Sequence, residues 1–131
     1  MSATETAHAW GVGMPALLHL HEFGRVVHQA FRHYPYLVGS ALTTKTPRDI
    51  DVRLVLPLSE YQALVGPPSE CGQPGTRWAA FAVAFSALAA QMTGKVVDFQ
   101  IQTPDHANVY MDEQRLPIGY AVGRFTMAVQ P

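Results

Sequence analysis

The sequence contains very little cysteine and few charged residues. Its one cysteine, Cys71, excludes a disulfide within the chain and suits a reducing compartment. Charged residues make up 15% of the chain and the formal net charge is -1, which argues against binding nucleic acid through bulk charge but leaves room for a local basic patch. Proline, histidine and glycine interrupt every apolar run before it reaches membrane-spanning length. The start of the chain lacks the basic and apolar segments of a signal peptide, so we expect a cytoplasmic protein without membrane contact.

The length and composition predict one domain. A chain of 131 residues that is 48% hydrophobic can bury roughly two-thirds of its unfolded surface in a single core. We expect residues 1–131 to form this domain, with residues 1–14 as a frayed N-terminus.

Hydrophobic spacing divides the chain into helices and strands. Apolar residues recur at helical spacing from Leu20 to Phe31, and they alternate with polar residues in two later segments. The predicted elements are a helix over about 15–33, strands over 36–38 and 49–56, a short helix over 60–66, a helix over 77–93, a strand over 95–102 and a short helix over 104–111, with a weaker strand pattern near 124–129. Without the short helix 60–66, the order α-β-β-α-β-α predicts an α/β (α+β) domain, a small mixed β-sheet covered by helices. The helix over 77–93 is apolar almost all round, and we expect it to be buried.

Aspartates begin the polar face of both longer strands. Side chains alternate across a strand, so residues of equal parity share a face. The polar faces consist of Asp49, Asp51 and Arg53 in one strand and of Asp98, Gln100 and Gln102 in the other. A register shift by one residue would bury the charges, so the apolar faces fix the register. If the two strands are neighbours, three carboxylates converge on one patch.

A cluster of carboxylates predicts a bound cation. Two ionised carboxylates about 4 Å apart repel by roughly 4 kcal/mol at an effective dielectric constant near 20, so such a cluster takes up a proton or recruits a cation. Mg²⁺ binds through one or two carboxylates plus substrate phosphates. Gly39 and Ser40 end the preceding strand in a turn whose backbone amides suit phosphate. Together these features predict phosphoryl or nucleotidyl transfer, with Arg53 as either a counter-ion of the acids or a phosphate contact.

At these residues the chain resembles a known family. "VGSALTTKTPRDIDV" resembles the signature of the DNA polymerase β-like nucleotidyltransferase superfamily, in which an apolar residue, Gly, and Gly or Ser precede a spacer and Asp-apolar-Asp-apolar. "VVDFQIQ" resembles the strand that carries the third carboxylate of that superfamily. More narrowly, "GSAL", "RDIDVRLVL" and "SALAAQMTGKVVDFQIQ" are similar to small nucleotidyltransferase-like proteins encoded by phages of actinobacteria. The resemblance covers about residues 31–102 and implies a minimal catalytic domain without the additional helical domain of larger relatives.

The resemblance implies a role for each matching residue. Asp49 and Asp51 would be metal ligands, and Asp98 would be the third carboxylate, which helps to activate the attacking hydroxyl. Gly39 and Ser40 would meet the triphosphate of a nucleotide. The implied cofactor is Mg²⁺ or Mn²⁺. The implied reaction moves an NMP from an NTP onto a hydroxyl of a protein, an RNA or a small molecule. It would take place in the host cytoplasm if the protein is phage-encoded. The compact size and apolar, proline-ended tail are compatible with a homodimer.

The same residues leave other functions open. The acids can simply lie on a solvent-facing strand edge, or they can belong to a degenerate site that has lost its catalytic activity. A non-catalytic module on this fold would bind a nucleotide or a host protein, and an antitoxin-like factor would nucleotidylate a cognate toxin. A basic stripe on the first helix is either a solvated face or a surface that contacts phosphate or RNA; it consists of His21, Arg25, His28 and Arg32.

Overall fold

The protein is described by a computed structural model that covers residues 11–47, 49–67, 75–110 and 114–119. Its elements are α1 (Ala16–Phe31), β1 (Tyr36–Val38), a 3₁₀ turn (Gly39–Leu42), β2 (Ile50–Val55), α2 (Leu58–Val65), α3 (Thr76–Thr93), β3 (Val97–Gln102), α4 (Pro104–Ala107), a second 3₁₀ turn (Asn108–Tyr110) and β4 (Leu116–Pro117). The predicted helices and strands in these ranges are present, with ends shifted by a few residues. Residues 1–10 and the predicted strand near 124–129 lie outside the described residues.

Four strands form one mixed sheet in the order β3-β2-β1-β4. β1 is antiparallel to both β2 and β4, whereas β2 and β3 are parallel. The prediction of a small mixed sheet with helices is thus confirmed at the level of an α+β fold. The edge strand β4 was not predicted, because two residues carry no alternation and only their pairing with β1 defines them.

One face of the sheet packs against α1 and α3 to form the hydrophobic core. In β2 and β3, buried and half-buried residues alternate without a break, as expected of a sheet with one covered face. From α1, Leu20, Phe23 and Val27 are fully buried, so one stripe of this helix faces the sheet. Phe23 meets Phe99 of β3 edge-to-face, with ring centroids 5.7 Å apart. The polar residues of the strands occupy the opposite face.

α3 packs its inner side against the core and also lies along the outer edge of β3, so the core does not enclose it. Ser86 Oγ accepts a hydrogen bond from the N–H of Phe99 at 2.8 Å, and Trp78 Nε1 donates to the carbonyl oxygen of Ile101 at 2.8 Å. These bonds pair backbone N–H and C=O groups on the open edge of β3, the outermost strand on this side of the described sheet. The expectation that this helix is buried was wrong, because a helix on an edge leaves its outer side in solvent: Val83 is 71% exposed.

His21 is buried in α1, which corrects its assignment to an exposed basic stripe. The residue is 6% exposed, and its Nδ1 accepts a hydrogen bond from the N–H of Gly119 at 3.0 Å. Burial lowers the pKa of His21 below its ordinary value, because a charged ring would lose its hydration. The residues that follow β4 cover this side of α1. Arg25 and Arg32 of the same stripe are exposed, as expected.

Gly11 and Val12, expected to be frayed, are held against the core and the 3₁₀ turn that follows β1, whereas Gly13 and Met14 are exposed. The N–H of Gly11 donates to the carbonyl oxygen of Ala41 at 2.8 Å, and Val12 is 3% exposed. Within the described ranges, no helix combines the length and the hydrophobicity that crossing a membrane requires.

Candidate functional site

A cavity of about 210 Å³ opens on the polar face of the sheet. Alternate residues of three strands line it, because alternation turns them away from the core. The lining residues are Tyr36 and Val38 of β1, Gly39 of the first 3₁₀ turn, Asp51, Arg53 and Val55 of β2, Gln102 of β3, His106 and Ala107 of α4, and Arg115 just before β4. The cavity therefore lies where the sequence places its polar face.

Asp51 and Asp98 are register partners in the parallel pair of β2 and β3. Their side chains therefore leave the sheet on the same side. Both carboxylates are accessible, with 27% of the Asp51 side chain and 44% of the Asp98 side chain exposed. The two strands are thus neighbours, which is the condition under which the acids were expected to share a face.

The guanidinium of Arg53 lies between these two carboxylates. Its Nη2 is 3.3 Å from Asp98 Oδ2 and 3.8 Å from Asp51 Oδ1. Its Nη1 donates to the carbonyl oxygens of Asp98 at 2.8 Å and of Val52 at 3.0 Å. Gln100 Nε2 donates to Asp98 Oδ2 at 3.2 Å. Of the two roles left open for Arg53, these contacts describe the counter-ion, which offsets the repulsion of like charges placed side by side on adjacent strands.

Gly39 makes room for the carboxylate of Asp51. Its φ is +77°, a conformation that residues with a Cβ rarely adopt. A Cβ on Gly39 would also lie 2.7 Å from Asp51 Oδ2. Ser40 follows in the 3₁₀ turn, where its carbonyl oxygen accepts hydrogen bonds from the N–H groups of Thr43 at 3.0 Å and Thr44 at 2.9 Å. Gly39 and one of the acids that it was predicted to accompany therefore lie next to each other.

Asp49 is exposed and lies one residue before β2. In the part of the chain that the structure describes, no three His, Cys, Asp or Glu side chains are grouped so that they could hold a metal ion. The assignment of Asp49, Asp51 and Asp98 as a trio of metal ligands stays a prediction. Asp51 and Asp98 meet the requirement of Mg²⁺ in the type and number of protein ligands, because this ion needs only one or two protein carboxylates when substrate phosphates and water supply the other ligands.

Sequence reasoning missed Arg115 and His106 as residues of the site. Arg115 Nη2 donates to the carbonyl oxygen of Ala107 at 2.6 Å and to Asn108 Oδ1 at 2.9 Å. No carboxylate of the described residues forms an ion pair with Arg115, and His106 is exposed. Both residues reach the cavity because the chain turns back towards the sheet after β3. A turn of this kind has no hydrophobic periodicity from which the sequence could predict it.

Charged side chains at the cavity come from two parts of the chain. Asp51 and Arg53 of β2 line it, with Asp98 in contact with Arg53, whereas Arg115 belongs to a segment that follows β3. A guanidinium presents donors in a planar fork that suits phosphate. The arrangement can therefore receive an anionic group beside Arg115 and a cation beside the carboxylates.

No protein-family model, curated protein or solved structure matches this chain. The function must be inferred from the site itself. That inference starts from the paired carboxylates, the glycine in contact with one of them, and the cavity beside them.

Proposed function

We propose that the protein is a nucleotidyltransferase that uses Mg²⁺ or Mn²⁺ and moves an NMP from an NTP onto an acceptor hydroxyl. The main support is that Asp51 and Asp98 stand at one register position of neighbouring strands, and that Asp51 lies beside Gly39 and lines the cavity. The acceptor would be a hydroxyl of a protein, an RNA or a small molecule. The reaction would take place in the cytoplasm.

The carboxylates of Asp51 and Asp98 would hold the metal ion, with Asp49 as a further ligand. Bound there, the ion would neutralise charge on the phosphate oxygens and so favour attack at phosphorus. Because both carboxylates are partly exposed, a hydrated ion has access to them. Arg53 would have to give up its contacts with the two acids, and it would then be available to contact a phosphate.

The chain's own residues would perform the remaining steps. The amides of Gly39 and Ser40 would donate to the triphosphate, as turn amides do to anions. Asp98 would accept the proton of the acceptor hydroxyl while the hydroxyl oxygen bonds to the α-phosphorus. The bond between the α-phosphorus and the bridging oxygen breaks, and pyrophosphate leaves with the electron pair. Arg115, which also lines the cavity, would contact the phosphates.

A second candidate function is a module that binds a nucleotide without turning it over. The observation that favours it is the contact of Arg53 with both carboxylates, because a resident cation reduces the need for a metal ion. In this alternative the phosphates would be held by Arg115, Arg53 and the Gly39 turn. A related module would use the same fold to bind a host protein.

Labelling with α-³²P-NTP tests the transferase. The wild-type chain, incubated with Mg²⁺ and with separate protein, RNA and small-molecule fractions, should transfer label to one of them and release pyrophosphate. The double variant Asp49→Asn with Asp51→Asn, and the single variant Asp98→Asn, should lose this labelling while keeping the wild-type circular dichroism spectrum. Asp105→Asn is the matched control, because Asp105 is exposed in α4 and should keep full activity.

The outcomes separate the two candidates. Persistent labelling in the double variant would refute the roles given to its aspartates. A thermal shift with NTP but no pyrophosphate release would favour the binding module. If no NTP changes the melting temperature, both nucleotide functions are refuted.

A further inference from the structure

A second cavity of about 480 Å³ adjoins the first. Tyr36, Val55 and Arg115 line both cavities, so these residues form the boundary between the two. The rest of the second cavity is lined by His33, Tyr34, Asn108 and Pro117. A ligand that extends along the polar face from the Asp51 end would therefore enter this space.

The second cavity presents aromatic rings instead of carboxylates. No carboxylate is among the described residues that line it. The ring of Tyr34 stacks on that of His28, with centroids 3.8 Å apart and planes 12° apart. His33 Nε2 is hydrogen-bonded to Glu60 Oε2 at 2.8 Å. Rings whose orientation is already fixed are good surfaces for stacking a flat ligand, because less side-chain entropy is lost on binding.

Two polar side chains, Asn108 and Arg115, can orient a ligand in this cavity. Asn108 Oδ1 accepts a hydrogen bond from Arg115 Nη2 at 2.9 Å, which leaves the Asn108 NH₂ group as a donor. The second bond of Arg115, to the carbonyl oxygen of Ala107, fixes the guanidinium at the boundary. A ligand that crosses the boundary would meet a cation between an aromatic surface and the Gly39 turn.

We propose that the second cavity binds the nucleobase of a nucleotide whose phosphates lie in the first cavity. This proposal rests on the nucleotide function proposed above, and it adds where the base is held. The base would stack on the Tyr34 side, the ribose would pass Tyr36, and the phosphates would run from Arg115 to Gly39. The volume suits one base with its sugar, because ligand pockets span roughly 300–1,000 Å³.

The test compares ATP with inorganic tripolyphosphate, which carries the same phosphate chain without base or sugar. Isothermal titration calorimetry in the presence of Mg²⁺ should give wild-type affinity for ATP on the order of 10-fold higher, the range that one base–aromatic stack supplies. Tyr34→Leu should lower ATP affinity by about 10-fold and leave tripolyphosphate affinity unchanged. Val109→Ala is the control, because Val109 neighbours Asn108, is 65% exposed and lies outside the lining of both cavities.

Asn108→Ala gives a second test at an exposed position that does not disturb the core, and it should lower ATP affinity several-fold. Equal wild-type affinity for ATP and tripolyphosphate would overturn the base site, as would an ATP preference that survives in both variants. If pyrophosphate release is absent but the ATP preference depends on Tyr34, the base site stands and the transferase fails. If labelled transfer occurs while both variants keep the preference, the transferase stands and the base site fails.

Discussion

Arg53 shows how the site is built at the scale of single residues. It shares a face of β2 with Asp51 because the two are two residues apart in a strand. Its contact with Asp98 depends instead on the pairing of β2 with β3. The single positive charge of a guanidinium between two carboxylates offsets part of their negative charge, and a bound metal ion would act on the same groups. We therefore expect Arg53 to compete with a metal ion for these acids.

Replacing Arg53 with Met should make the protein more responsive to divalent cations. Without metal, the variant should lose about 1 kcal/mol of stability, because Asp51 and Asp98 then repel without a counter-ion. With Mg²⁺ or Mn²⁺, its melting temperature should rise more than that of the wild type. Thermal unfolding over a metal titration measures both effects. Arg25→Met, on the exposed side of α1, should show the wild-type response, and an equal rise in all three proteins would mean that Arg53 and metal do not compete.

Gly39→Ala should destabilise the protein more than the same substitution at another glycine with a similar backbone. Gly13 has φ +71° and Gly39 has φ +77°, so both variants incur the cost of a Cβ in this region, on the order of 1–3 kcal/mol. At Gly13 a Cβ would meet nothing within 4 Å in the described part of the chain, whereas at Gly39 it would meet Asp51 Oδ2. Urea denaturation should give the larger loss for Gly39→Ala, together with weaker ATP binding. Equal losses would show that the Asp51 carboxylate moves aside at no cost.

At the scale of elements, the sequence predicted where most helices and strands lie but not what covers them. In β2 and β3, the alternation of apolar and polar residues correctly predicted which side chains are buried and which are half-buried. The apolar residues all round α3 suggested full burial, yet this helix covers one edge of the sheet and Val83 stays exposed. Composition reports how apolar a helix is, whereas the number of neighbours around it is a property of the assembled fold.

Ser86→Ala should weaken the contact between α3 and β3. The substitution removes the acceptor of the Phe99 N–H, and an unpaired buried donor costs about 1–3 kcal/mol. Chemical denaturation should detect this loss. Ser59→Ala, at an exposed position of α2, should stay within about 0.5 kcal/mol of the wild type. A Ser86→Ala variant as stable as the Ser59→Ala variant would mean that water replaces the hydroxyl.

At the scale of the whole molecule, His21 links the two ends of the described chain. It lies in α1 and accepts a hydrogen bond from Gly119, which follows β4. Neither partner stands out in the sequence, because a histidine on a basic stripe usually faces solvent. The contact arises only when β4 pairs with β1 and brings the following residues onto α1.

The stability of the protein should fall as the pH falls below about 6.5. Burial lowers the pKa of His21 from its ordinary value of 6.5 in the folded state, so the unfolded chain takes up a proton first and unfolding becomes easier. In the window below 6.5 and above the folded-state pKa, the slope approaches about 1.4 kcal/mol per pH unit. Urea denaturation at several pH values should show a flatter profile for His21→Asn, which keeps an acceptor but does not titrate. His19→Asn, exposed on the same helix, should keep the wild-type profile, and identical profiles for the two variants would contradict this role of His21.

The sequence by itself determined where β1, β2 and β3 lie, the polar and apolar faces of β2 and β3, and the parity that puts Asp51 and Arg53 on one face of β2, because side-chain alternation is a local property of extended backbone. It also marked Gly39, because a glycine that ends a strand indicates special backbone geometry or a close approach. Only the tertiary structure decided that Arg53 lies between the two acids, that Arg115 and His106 reach the cavity, that α3 covers an edge, and that His21 is buried. Each of these depends on contacts between residues far apart in the chain, and such contacts form only when the strands pair and the helices pack.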